Sequence, residues 1–138
     1  MVRKTIISTL ILLALFAGDG FSQQRQIKKA DVKFKIMQYN EAAELYRKAI
    51  TKFEEDNRQK EYAIFKLAEC HRLMHNPDSA EVLYSELAEG SFGNIYSDLY
   101  LRYADILRMK GETGEARKFY KKYLKMEQYS KEIGRAHV

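Results

Sequence analysis

Three stretches of this chain carry the same ladder. A small residue is followed twelve positions on by alanine, four further by tyrosine, and three beyond that by an apolar or aromatic residue. The copies are Ala30, Ala42, Tyr46, Ala49; then Ala68, Ala80, Tyr84, Leu87; then Ala104, Ala116, Tyr120, Tyr123. They recur 36 to 38 residues apart, the period of helical-hairpin repeats. Small residues at matched points let two helix backbones approach closely, and an aromatic one turn later fills the hole beside the contact. No hairpin buries its apolar stripe alone, so each must pack on its neighbour. A non-repeating bundle could use the same residues as ordinary core, but identical offsets in triplicate favour the stack.

The periodicity predicts helices between turns, with no convincing strand. The first runs from about residue 28 to 37 on Ala30, Phe34 and Met37, with Val32 and Ile36 widening its stripe and 23–29 a polar lead-in. The second covers 41–53, and 54–60 is a polar loop. The central pair hinges at Asn76-Pro77, where Asn76 is a good N-cap and Pro77 a natural first helical residue. Gly90, Ser91 and Gly93 mark a loop, and the third pair begins near Ile95. Gly111 suits a C-cap and Thr113 an N-cap, with the last helix fading by Gln128.

The ends differ from this pattern. Arg3 and Lys4, the apolar run from Ile6 to Ala17, and the small residues Gly20 and Ser22 predict a secretory signal peptide over 1–22. The run is short for a span of roughly 20 residues, which argues against an uncleaved anchor. Residues 128–138 read as a tail. Its last six residues, from Ile133 to Val138, resemble translated sequencing adapter, so the natural protein is expected to continue. The repeat domain is then 23–127, with repeats at about 27–53, 61–88 and 95–127. Much of the net charge of +5 belongs to the ends, and charges of both signs are interspersed, which argues against a nucleic-acid partner. Cys70 is the only cysteine, so no internal disulfide can form; it reads as a small buried hydrophobe.

The ladder resembles the tetratricopeptide repeat: Leu67, Ala68 and His71, then Tyr103, Ala104 and Leu107, match its first-helix signature. Ala42 with Tyr46, Ala80 with Tyr84, and Ala116 with Tyr120 match its second. No Trp opens a first helix, where Ile64 and Tyr100 stand, and no Pro closes a repeat. The resemblance implies an all-α, tetratricopeptide-type α-solenoid of about three antiparallel hairpins. A leader followed at once by such repeats is similar to the start of bacterial envelope proteins that carry a β-propeller and an OmpA-like peptidoglycan-binding domain downstream. That similarity implies a periplasmic or outer-membrane-associated protein, meeting the membrane only through its leader or further domains.

In such repeats the first helices line a groove. One residue after each small residue stands an acid (Asp31, Glu69, Asp105), and three further stand Phe34, Arg72 and Arg108. With Phe65 and Leu101 they form the candidate protein-binding face. The expected function is docking of a peptide or neighbouring domain; the alternatives are a structural spacer without its own ligand and a chaperone-like carrier. Solvated intrahelical pairs would use the same charges. His71 and His75 are spaced i,i+4, but Cys70 points elsewhere and no second cluster completes a zinc site, so no metal is expected. No phosphate loop, nucleophile elbow or hydrolytic His–Glu pair occurs, so neither cofactor nor catalysis is expected.

Overall fold

The computed structural model describes residues 22–136, with side chains through 132. The signal-peptide reading therefore lies outside the described residues, apart from Ser22. Six α-helices follow one another: α1 (residues 22–35), α2 (Tyr39–Ile50), α3 (Arg58–Leu73), α4 (Pro77–Glu89), α5 (Asp98–Met109) and α6 (Thr113–Ala136). A short 3₁₀ turn, Phe92–Asn94, precedes α5. The described residues contain no strand.

The ladder alanines sit where the helices touch. Ala30, Ala42, Ala49, Ala68, Ala80 and Ala104 are fully buried, and Ala116 nearly so. Two cores result, one per junction between hairpins. Ile27, Ala30, Ala42, Tyr46, Ala63 and Cys70 belong to the first. Ala68, Ala80, Tyr84, Phe92, Leu99, Ile106 and Ala116 belong to the second. Ile50 and Leu83 pack against both, so the cores are continuous. Packing runs between consecutive helices, as in a repeat stack, and is compatible with the tetratricopeptide-type arrangement.

Each hairpin turns the same way. At the ends of α1, α3 and α5 the chain enters the left-handed region, at Met37 (φ 61°), His75 (φ 57°) and Gly111 (φ 86°). In every case two crossed backbone bonds close the helix. Gln38 N–H donates to Lys33 at 2.9 Å, Asn76 N–H to His71 at 2.9 Å, and Glu112 N–H to Leu107 at 2.8 Å. These are Schellman ends, which favour glycine because a Cβ is strained there. Met37 and His75 are exposed and lose no packing on replacement. Met37→Gly and His75→Gly should each stabilise the fold by about 0.5–1 kcal/mol, and Gly111→Ala should destabilise it by about 1 kcal/mol. Thermal unfolding of the three variants checks the signs; destabilisation by both glycines would refute this account.

Several boundaries differ from expectation. The stretch 23–29 is helix, not lead-in, because it has a face to bury: Gln23 and Ile27 are covered, and Gln23 Nε2 donates to the Lys52 carbonyl at 2.7 Å. That carbonyl is one of those left without a partner beyond the end of α2. Val32 and Ile36 lie off the contact stripe and are exposed. The second helix ends at Ile50, three residues early, in a tight turn through Lys52 and Phe53. Asn57, inside the expected loop, caps α3 by accepting from the Gln59 and Lys60 amides at 2.9 and 3.1 Å. Asn76 caps α4 as expected, and Pro77 is its first residue. Thr113 begins α6 rather than capping it.

Two departures matter more. Phe92, read as part of a loop, is fully buried and stacks on Tyr96 at 4.5 Å. Gly93 beside it is packed under the Tyr100 ring, where any Cβ would collide. The last helix continues past Gln128 to Ala136. Its residues from Glu115 to Ile133 include neither glycine nor proline, so nothing in them breaks the helix. Ser97 Oγ donates to Glu127 at 3.0 Å and ties α6, just before this extension, to the start of α5.

Candidate protein-docking face

The acids expected to face a ligand form a row along α1, α3 and α5, and each is already engaged. Tyr46 donates its hydroxyl proton to Asp31, Tyr84 to Glu69, and Tyr120 to Asp105 at 2.6 Å. The separation is 15 residues in all three, so the bond joins the two helices of one hairpin. The ladder tyrosine thus fills the gap beside the alanines with its ring and satisfies its hydroxyl on the acid opposite. A buried tyrosine needs such a partner.

The same acids also reach the following hairpin. Tyr62, on α3, donates to Asp31 at 3.0 Å. Arg102, on α5, lies 3.9 Å from Glu69. Lys66 feels the charges of both Asp31 and Glu69. The acid row is therefore a polar seam across the stack.

Glu69 is the centre of that seam. Its residue exposure is only 8%. Arg72 meets it through two bonds, Nε to Oε1 at 3.0 Å and Nη2 to Oε2 at 2.8 Å. Burial pushes the Glu69 carboxyl up, but hydrogen bonds from Arg72 and Tyr84 and the charges of Arg72 and Arg102 pull it below its ordinary value. Tyr84 is held upward by burial, then by the adjacent carboxylate. The network keeps Glu69 ionised and Tyr84 neutral, as a stable charge-assisted bond requires.

The remaining candidates do not converge on one point. Phe34 is half-buried, edge-on to Tyr39 at 5.4 Å, with Lys66 Nζ 3.3 Å from its ring centroid. Phe65 packs inward, 5.5 Å from Phe92 and 6.1 Å from Tyr84, so it is part of the junction between hairpins. Leu101 and Asp105 are half-buried, and Arg108 is exposed. The expected Asp105–Arg108 pair is not made directly; Arg108 Nε donates to the Tyr120 hydroxyl at 3.3 Å instead. The Glu69–Arg72 pair is made, but it faces the junction.

Tyr62, Lys66 and Arg102 were missed. For Lys66 and Arg102 the signal was present: Lys28, Lys66 and Arg102 each stand three residues before the acid of their repeat. Lys66 is lowered first by its own burial, against the raising effect of the neighbouring acids. The row can offer cations and half-buried aromatics to a docking segment, and its acids are committed to the fold.

Cys70 is fully buried, and desolvation pushes its thiol up to about 12. His71 is half-buried, its basicity reduced by burial and then by Arg47. Among the described residues no group of three or more His, Cys, Asp or Glu is placed to hold a metal ion. No helix among them is long and apolar enough to cross a membrane. Compared with protein-family models and with curated proteins, the chain matches none.

Proposed function

We propose that this chain is a tetratricopeptide-type interaction scaffold of an exported bacterial envelope protein, docking a protein segment along the faces of α1, α3 and α5 without chemistry of its own. The observation that supports this most is the seam of Asp31, Glu69 and Asp105. It links α1 to α3 through Tyr62 and α3 to α5 through Arg102, and so presents Phe34, Lys66, Leu101 and Arg108 on a rigid frame. Rigid presentation lowers the entropy lost on docking. Export to the periplasm or outer membrane rests on the leader-like N-terminus and on the resemblance to envelope proteins.

The spacer reading also has an observation in its favour. Groups first read as ligand contacts, Glu69, Arg72 and Phe65, are turned into the stack, which leaves fewer groups free for recognition. Retention of envelope proteins on the immobilised chain separates the two readings. The comparison is with a Lys66→Ala, Arg108→Ala double variant, whose fold is checked by circular dichroism. Loss of a specific retained protein in the variant supports docking here. Equal retention by both chains would dismiss this face, and no retention at all would leave the spacer.

A further inference from the structure

The first helices of the second and third hairpins each turn one stripe toward the hairpin before them. On α3 that stripe is Ala63, Leu67 and Cys70, buried in the first core, with Met74 packed against it. On α5 it is Leu99, Tyr103 and Ile106, buried in the second. The repeat offset places Arg25, Lys29, Val32 and Ile36 at the positions of Ala63, Leu67, Cys70 and Met74. Two of the three core positions are thus cations on α1. An apolar element laid over Arg25 and Lys29 would bury charges without partners, which is costly. The stripe suits something other than another hairpin.

Solubility alone would be served by polar residues of both signs. Here the exposed charges all have one sign. Arg25, Lys28, Lys29 and Lys35 are exposed, and none meets a carboxylate among the described residues. Lys33 pairs with Glu41 at 2.6 Å. Asp31, the one acid in the described part of the helix, is taken by Tyr46 and Tyr62. Lys28 and Lys29 follow Arg25 by three and four residues, spacings at which like charges destabilise a helix.

Two aliphatic residues lie in the same stripe, Val32 at 59% and Ile36 at 57% exposure. A surface of dense negative charge relieves the repulsion, and an apolar layer behind that charge covers the aliphatics. Anionic phospholipid supplies both. Long cationic side chains can hold their heads at the phosphates while Val32 and Ile36 sink below them. Residues 1–21 do not supply the charge, since they carry Arg3 and Lys4 against Asp19.

We infer that the outward stripe of α1 docks on an anionic phospholipid membrane. The helix lies in the membrane plane over about 16 Å, from Arg25 to Ile36. Val32 and Ile36 sit among the headgroups, and Arg25, Lys28, Lys29 and Lys35 meet phosphates. The stripe lies on the side of α1 away from Ala30 and Phe34, so the inference does not rest on the docking face proposed above.

The test is co-sedimentation of the full chain with vesicles of phosphatidylcholine, alone or mixed with phosphatidylglycerol. Partitioning should be at least about tenfold stronger on the mixed vesicles. Arg25→Glu with Lys29→Glu should remove most of that gain without lowering the melting temperature, because both residues are exposed and their reversal relieves repulsion. Val32→Ser with Ile36→Ser should weaken binding to the mixed vesicles. Lys121→Glu with Lys125→Glu makes the same change of net charge on α6 and should leave the gain within about twofold. Arg3, Lys4 and the apolar run from Ile6 to Ala17 are common to every variant, so the differences report α1. Equal losses from the two charge reversals would reduce the effect to net charge and overturn the surface. So would a gain indifferent to Arg25→Glu and Lys29→Glu. Binding of poly-glutamate with no gain on the mixed vesicles would also overturn it, assigning the stripe to an acidic protein instead.

Discussion

Truncating Tyr84 to alanine is expected to destabilise the fold by about 3–5 kcal/mol, the range for deleting a buried aromatic. Tyr84 is fully buried between the second and third hairpins, with Phe65 at 6.1 Å and Tyr103 at 6.4 Å on either side. Its removal opens a cavity that rigid helices cannot close, and it strips Glu69 of one donor. Tyr84→Phe keeps the ring and should cost only about 1–2 kcal/mol, because Arg72 still holds the carboxylate. Tyr120→Ala makes the same chemical change at the same ladder position, but that tyrosine is only half-buried. Its loss should be less than half that of Tyr84. Urea unfolding of the three variants gives the comparison. Equal losses at Tyr84 and Tyr120 would mean that stability does not come from one hairpin covering the next.

The parts of the structure that could be read from sequence are those set by spacing. Alanine at a twelve-residue offset, with tyrosine one turn on, has few uses besides a close helix contact, and the burial of Ala42, Ala80 and Ala116 follows from it. Asn76-Pro77 was legible because a cap and a first-turn proline are local chemistry. Where a residue's role depends on what lies across a junction, sequence was a poorer guide. Phe92 sat among glycines and read as loop, yet its ring completes the second core. Gln23 and Ile27 read as polar lead-in because what covers them is distant in sequence: Gln23 bonds the Lys52 carbonyl just beyond α2, and Ile27 joins a core drawn from α2 and α3. The acid row was found by its offset, but the tyrosines that bond it were not. Nothing local distinguishes a carboxylate facing solvent from one facing a tyrosine 15 residues on. The tyrosine and the acid recur together in all three repeats, and that co-recurrence was the available clue.

Removing the Glu69 carboxylate tests the seam itself. Glu69→Ala should destabilise by about 3–5 kcal/mol, the range for breaking a buried ion pair, since it strands Arg72 and orphans the Tyr84 hydroxyl together. Asp105→Ala, at the equivalent position of the third hairpin, loses one bond to a half-buried tyrosine and should cost about 1 kcal/mol. Glu69→Gln keeps the shape and isolates the charge through pH. The folded state holds Glu69 below its ordinary value of 4.5, so the unfolded chain binds its proton more readily. The stability this supplies is complete above pH 4.5 and is lost as pH falls through the lower folded value. His71 adds an acid loss of its own: burial lowers its folded value, so the unfolded state gains that proton first as pH falls below 6.5. Because His71 is present in both proteins, the difference between wild type and Glu69→Gln reports Glu69 alone. That difference should be constant from neutral pH down to about 5 and shrink below it. A difference unchanged down to pH 3, or one that grows on acidification, would show that Glu69 is not held as the anion between Arg72 and Tyr84, and the seam would lose its centre.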